Sequence, residues 1–296
     1  MKEKKYVRLL ISVLLILVIV STFTYAEPVK FAKKVYGPLS ESMEEALASM
    51  TGGDEFSQKY LHIDENSTLG INADNTPIYR VAVEGDKSKY ISLTFDSSWI
   101  DYYTIPLLDM LDRHKAKATF FLTAFYIRAH SDSVKEILKR GHEIGNHSKS
   151  HRKFTEMKES TMITEIEDCH KVLKNLTGID MCLFRFPYGS YNFTAIKLLR
   201  ERGYYPIQWK IDSLDWKNES AEAIIRRLKQ EDAYEAGNII LFHNGGDFTV
   251  EALGTIFNEL ELRKLKCVKV SDLIYENDFY IDGKGHQKKL VKEEKD

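Results

Sequence analysis

Gly141-His-Glu-Ile-Gly-Asn-His-Ser-Lys-Ser-His151 reads as a short buried strand that runs directly into a pair of histidines. Two histidines four residues apart, His147 and His151, lie on one face of a helical turn, so both imidazoles can reach a single ion. Alone the spacing is a weak signal, because two surface or capping histidines share it. A strand that ends in chemistry, however, is the working unit of a parallel α/β fold, where functional side chains gather at the C-terminal ends of strands.

Outward from this stretch the same unit recurs. Apolar runs of strand length fall at residues 78–83, 89–95, 118–122, 181–184, 205–209, 238–242 and 267–270. Between them lie segments of helical period at 102–114, 131–140, 160–176, 193–202, 221–230 and 250–263, and Val270-Ser-Asp-Leu273 opens one more. Ile105, Leu107, Leu108 and Leu111 show the period best, as one apolar stripe. Strand and helix in alternation predict a parallel sheet. The length fits a closed α/β barrel of parallel strands, smaller than the eight-fold kind. The rival is an open doubly wound sheet, but no Gly-rich phosphate loop follows an early strand.

Several of these strands finish in a reactive side chain: Asp96, His147, Arg185, Asp212 with Asp215 close behind, and His243. Each has an ordinary structural reading as a cap, a salt-bridge partner, a turn residue or a core histidine. Five strands ending this way together are harder to explain so.

The remaining sequence bounds the setting. The 296 residues are 43% hydrophobic and 29% charged, enough for one large domain or two small ones with a sizeable core. The formal charge is -2, and removing residues 1–26, with four bases and one acid, makes it -5. No basic face is implied, which argues against nucleic-acid partners. Cys169, Cys182 and Cys267 show no paired spacing, so we expect three small buried apolar side chains and no disulfide framework. Residues 1–26 carry a basic start, an apolar run from Leu9 to Val20 and small residues before Glu27-Pro28. This is the pattern of an export signal, with an uncleaved membrane anchor as the alternative, and the protein is expected outside the cytoplasmic membrane. Residues 27–76 read as a short helix and linker, 77–276 as the α/β domain, and 277–296 as a polar, solvated tail.

The ordered set Thr94-Phe95-Asp96, His147-Ser148-x-x-His151, Arg185-x-Pro187-Tyr188, Asp212-Ser213-x-Asp215-Trp216 and Leu241-x-His243 resembles the five motifs of the polysaccharide deacetylases, the NodB-type domain of carbohydrate esterase family four. The resemblance covers residues 77–276 and implies a distorted (β/α)7 barrel. It implies hydrolysis of N-acetyl groups on a sugar polymer, with a divalent ion, zinc or else cobalt or manganese, held by His147 and His151. By the same resemblance Asp96 is the general base, Arg185 orients it, and His243 is the general acid. Of the two nearby carboxylates, Asp212 is the one expected behind His243. The backbone N–H of Tyr188 would stabilise the oxyanion, and Trp216, Leu241 and Asp215 would surround the acetyl group.

One position departs from the family pattern. The family's second aspartate, its third metal ligand, is here Ser97, in the run Asp96-Ser97-Ser98-Trp99. A neutral hydroxyl is a poor zinc ligand and brings no charge to offset the ion. Three readings stay open: a loosely held metal, a metal held partly by Asp96, or a glycan-binding module on the same barrel that is weakly active or inactive. The variant also resembles deacetylase relatives associated with spore formation. Trp99, Phe125, Tyr126, Tyr188, Tyr191 and Trp216 lie near strand ends, and aromatic faces stack on sugar rings. With the export signal, these point to peptidoglycan or another N-acetylated wall polymer as the partner. A small-molecule metallohydrolase on a similar barrel fits them less well, and oligomeric state is not readable.

Overall fold

The computed structural model describes residues 76–217 and 219–290. The readings of residues 1–26 and 27–75 therefore lie outside the described residues. The strands are β1 (Arg80–Val81), β2 (Tyr90–Ser97), β3 (Thr119–Leu122), β4 (Glu143–Asn146), β5 (Leu183–Phe184), β6 (Tyr205–Pro206), β7 (Ile211–Asp212), β8 (Ile239–His243), β9 (Lys266–Cys267), β10 (Phe279–Ile281) and β11 (His286–Lys289). The helices are α1 (Thr104–Arg113), α2 (Ala124–Ala129), α3 (Ser131–Lys139), α4 (Glu159–Thr177), α5 (Phe193–Glu201), α6 (Ala221–Gln230), α7 (Thr249–Leu262) and α8 (Val270–Leu273).

The main sheet runs in the order β6-β5-β4-β3-β2-β8-β7, with β9 also paired to β2. Every one of these pairings is parallel. Its two edge strands are neighbours in sequence. From Pro206 to Ile211 the chain can reach at most about 18 Å. A flat sheet of this order would hold its edges about 29 Å apart, at roughly 4.8 Å per strand. The sheet must therefore curl, and the seam is closed by short pieces of chain. Ile78 pairs with Ile207, and Arg80 bridges Asn238. This is the distorted seven-stranded barrel, and the open sheet is excluded.

The strand period explains the two cores. Phe95, Phe120 and Phe242 stack side by side, with centroids 5.2 and 5.6 Å apart, and pack with Leu107, Leu111 and Phe257 of the outer helices. Phe121, Leu183, Ile207 and Ile239 take the opposite face and fill the barrel. Alternating faces along each strand separate these sets. Gly145 has a packing reason: a Cβ there would lie 2.5 Å from the Phe121 ring. Helix ends are set locally as well. Thr123, Asn192 and Ser220 cap α2, α5 and α6 by accepting from backbone N–H groups. Gly178, left-handed at φ 78°, ends α4.

Four expectations need correction. The strand expected at 205–209 is regular only at Tyr205–Pro206, with a single bridge at Ile207; Gln208 leaves the ladder, its carbonyl accepting from Arg185, and a separate short strand follows at Ile211–Asp212. The strand expected at 78–83 contributes only Arg80–Val81 to a regular ladder, in a second sheet of order β1-β11-β10. The tail is not simply solvated: β10 and β11 pair antiparallel, and β11 pairs with β1. Ile281 and Gln287 are buried, and the Gln287 amide holds both the N–H and the C=O of Tyr275. Finally, Cys169 and Cys267 are buried free thiols, but Cys182 is exposed, because it faces outward between the buried Met181 and Leu183. No helix among the described residues is long and apolar enough to cross a membrane.

Candidate active site

Asp96 and His243 stand opposite one another on adjacent strands, as a register pair of β2 and β8. Both are delivered to the C-terminal end of the barrel by largely buried strands, β2 carrying Ser92, Thr94 and Ser97 among its apolar residues and β8 reading Ile-Ile-Leu-Phe before His243.

Asp96 is buried and clasped from below. Arg185 Nη1 donates to Asp96 Oδ1 at 2.8 Å and to Thr94 Oγ1 at 2.8 Å. Its Nη2 donates to Gln208 O at 3.1 Å, and its guanidinium lies 4.1 Å above the Phe121 ring. Thr94 in turn donates to Ile240 O. Burial alone would raise the Asp96 pKa, but Arg185, with His147 and His243, outweighs it and holds the carboxyl below its ordinary value. Asp96 is thus kept ionised, with Oδ2 directed toward His147 Nε2 at 3.4 Å.

His243 is gripped from the other side. Asp215 Oδ1 accepts from His243 Nδ1 at 2.8 Å, and Oδ2 accepts from the His243 backbone N–H at 2.8 Å and from Thr249 Oγ1 at 2.6 Å. Burial disfavours the imidazolium, but Asp215, Asp96 and Asp212 overcome it and raise the pKa. The expectation that Asp212 stands behind His243 is corrected. Asp212 Oδ1 accepts from Leu214 N–H at 2.9 Å, a local turn bond. Leu214 is left-handed, φ 56°, and this reversal brings Asp215, not Asp212, under the imidazole.

His147 and His151 come together with ring centroids 4.9 Å apart. His147 Nδ1 donates to Arg185 O at 2.9 Å, which leaves the Nε2 lone pair turned inward. That Nε2 is buried and without a hydrogen-bond partner. Burial depresses both imidazoles, His151 to about 4, so both are neutral donors. The turn that joins them holds Ser148 at φ 71° and His151 at φ 56°, costly angles for non-glycine residues. They are held by Asn146 Oδ1 on Ser148 N–H, Ser148 Oγ on His151 N–H, and Glu165 on both Ser150 N–H and Ser150 Oγ. These partners went unrecognised in the sequence. Asn146 was readable, adjoining the pair, but nothing marks Glu165, inside a helix 15 residues away.

As a metal-binding set these residues fit in part. Two neutral imidazoles, one with an orphaned buried nitrogen, suit a divalent ion. The third donor is missing as a charge: Ser97 is buried and its Oγ has no partner. Among the described residues no group of three or more His, Cys, Asp or Glu is placed to hold an ion.

The other expected residues divide. Tyr188, in the turn Pro187–Gly189 with φ 58°, puts its exposed ring 4.6 Å from that of His151. Leu241 is buried in β8 two residues before His243, and Trp216 is exposed beyond Asp215. Of the remaining aromatics, Tyr126 is core, while Trp99 and Phe125 are exposed.

The fold and site together describe an α/β-barrel with an ionised carboxylate facing a carboxylate-backed imidazole. The chain matches the polysaccharide deacetylase family over residues 84–207. It is 34% identical over 194 residues to a peptidoglycan-N-acetylglucosamine deacetylase of Bacillus cereus, covering 64% of this chain and 90% of that protein. The chain belongs to the polysaccharide deacetylase family and is a deacetylase-type hydrolase. Among solved structures it resembles the Bc1960 peptidoglycan N-acetylglucosamine deacetylase, with TM-score 0.63, 28% identity, and coverage of 67% of this chain and 92% of that one. It also resembles wild-type BA3943, a CE4 family pseudoenzyme from Bacillus anthracis, with TM-score 0.63 and 25% identity over 72% of this chain and 73% of that one.

Proposed function

We propose that this chain hydrolyses the N-acetyl group of sugars in peptidoglycan or a related wall polymer, outside the cytoplasmic membrane, with a divalent ion at His147 and His151. The observation that supports it most is the pairing of Asp96 with His243 across β2 and β8, each held in the protonation state its task requires.

Asp96, kept ionised by Arg185, takes a proton from water as the water oxygen attacks the acetyl carbonyl carbon. The backbone N–H of Tyr188 donates to the oxyanion that forms. His243, charged because Asp215 lies behind it, gives its Nε2 proton to the sugar nitrogen. The C–N bond then breaks, and acetate and a free amine leave. An ion bound by the two imidazoles would polarise the carbonyl and ease deprotonation of water, and zinc is favoured over cobalt or manganese. Leu241 and Trp216 border the space for the methyl group.

The test is acetate release from N-acetylated chito-oligomers or peptidoglycan fragments, with zinc, cobalt or manganese supplied. Release that disappears in Asp96→Asn and His243→Gln supports the reading. No release with any metal, together with retained glycan binding, identifies the chain as a binding module.

A further inference from the structure

The segment after Asp96 presents apolar side chains to solvent. Trp99 is 56% exposed, Ile100 45%, Tyr102 82%, and Phe125 from α2 37%. The Trp99 and Phe125 rings meet with centroids 5.4 Å apart, tilted by 35°. Large exposed aromatics side by side are costly to hydrate and commonly mark a binding surface.

The backbone beneath them is fixed. Thr123 Oγ1 donates to Ser98 O at 2.9 Å, His130 Nε2 bonds Trp99 O at 3.0 Å, and Asn244 Nδ2 donates to Ile100 O at 3.0 Å. The Asp101 carboxylate accepts from the buried Tyr126 hydroxyl and from Ser133 Oγ at 2.6 Å. Tyr126 OH and Asn244 both continue to Thr104 Oγ1. Three consecutive carbonyls thus have side-chain partners, and the side chains of Trp99 and Ile100 are left largely exposed. A surface ordered before its ligand arrives loses less entropy on binding.

The segment is tied to both halves of the acid/base pair. Trp99 follows Asp96 by three residues, within about 10 Å along the chain. Asn244, which holds Ile100 O, adjoins His243, and an added Cβ at Gly245 would touch Ile100 at 3.5 Å. The segment is therefore fixed relative to Asp96 and His243.

We propose that Trp99 and Phe125 form a platform for a second sugar ring of the glycan, a neighbour of the ring whose acetamide lies at Asp96 and His243. The apolar C–H face of a pyranose suits a flat aromatic surface, while its hydroxyl edges stay in water. The platform makes affinity depend on glycan length, and it rests on the deacetylase reading for the position of the first ring.

The test is calorimetric binding of N-acetylglucosamine oligomers from dimer to hexamer to the full chain, with acetate release followed alongside. In the wild type, affinity rises with length. In Trp99→Ala the tetramer binds about tenfold more weakly and the gain from dimer to tetramer is lost. Phe125→Ala shows a smaller loss, and Trp99→Phe, which keeps a ring, retains most of the affinity. An unchanged tetramer affinity in folded Trp99→Ala overturns the platform, as does no tetramer binding by the wild type. Acetate release without Trp99-dependent binding removes the platform alone. Length-dependent, Trp99-dependent binding without acetate release removes the deacetylase reading and leaves the platform standing.

Discussion

Asp215 holds His243 at two points, with Oδ1 2.8 Å from the ring Nδ1 and Oδ2 2.8 Å from the backbone nitrogen. One carboxylate therefore sets both the charge of the imidazole and the position of the strand end that carries it. Asp215→Asn should lower kcat by about 10²–10⁴, the usual range for general acid–base catalysis. Because the His243 pKa is raised above 6.5, the alkaline limb of the wild-type rate profile should lie above that value and move down in the variant. The sign for stability agrees: this contribution is complete below 6.5 and lost as pH rises through the folded pKa. Asp212→Asn should shift the limb less, since it acts only across space. Equal shifts in the two variants, read from pH–rate profiles, would contradict this assignment.

Arg185 is fully buried and divides its guanidinium among Asp96, Thr94 and Gln208. Lysine cannot reproduce that fork. Arg185→Ala leaves Asp96 buried without its counter-charge, and we expect a loss of about 3–5 kcal/mol in urea unfolding. Arg185→Lys should fold but raise the Asp96 pKa, moving the acid limb of activity to higher pH. In the wild type, the stability owed to Asp96 is present above its ordinary pKa of 3.8 and lost as pH falls through the lowered one. An unmoved acid limb would dissociate Arg185 from the base.

Ser97 offers a direct probe of the proposed metal. Ser97→Asp places a carboxylate in a fully buried position, so the metal-free protein should lose more than about 1 kcal/mol. Zinc should bind the variant more tightly and restore its melting temperature by mass action. Titration with cobalt, followed by its absorption bands, reads affinity without reference to turnover. Affinity equal to the wild type would mean that another group already completes the coordination.

Glu165 and Ser148 keep two left-handed residues in the turn between the histidines. Glu165→Ala removes both bonds to Ser150, and the turn should relax toward ordinary angles. The expected result is weaker cobalt binding with the far-ultraviolet spectrum unchanged. Retained affinity would show that the turn holds without it.

Gly145 lies directly against Phe121, which supports Arg185. Gly145→Ala should cost about 1–3 kcal/mol by overpacking, measured as a lower urea midpoint. Gly254, in α7, has nothing within 4 Å of an added Cβ, so Gly254→Ala should be neutral or mildly stabilising.

Much of the barrel was legible because its strands are apolar runs separated by helices of clear period, and because a reactive residue ends so many of them. Asp96, His147, Arg185 and His243 were readable for that reason: each sits where a strand stops. Asp215 was not, because its place depends on the left-handed Leu214, and nothing in Asp-Ser-Leu-Asp announces which carboxylate turns inward. The C-terminal hairpin was hidden for a different reason. In β11 the buried residue is Gln287, between the polar His286 and Lys288, so the strand has no hydrophobic period to detect. Helix α2, Ala-Phe-Tyr-Ile-Arg-Ala, is too short and too uniformly apolar to show an amphipathic pattern.

The chain that closes the barrel between β6 and β7 also supplies the Gln208 carbonyl and the Trp209 ring that steady Arg185. Parting the staves there would free the arginine and, with it, Asp96. Heat inactivation and the opening of amide hydrogens along that seam should therefore follow one curve, because the support of Arg185 and the closure of the barrel rest on the same few residues.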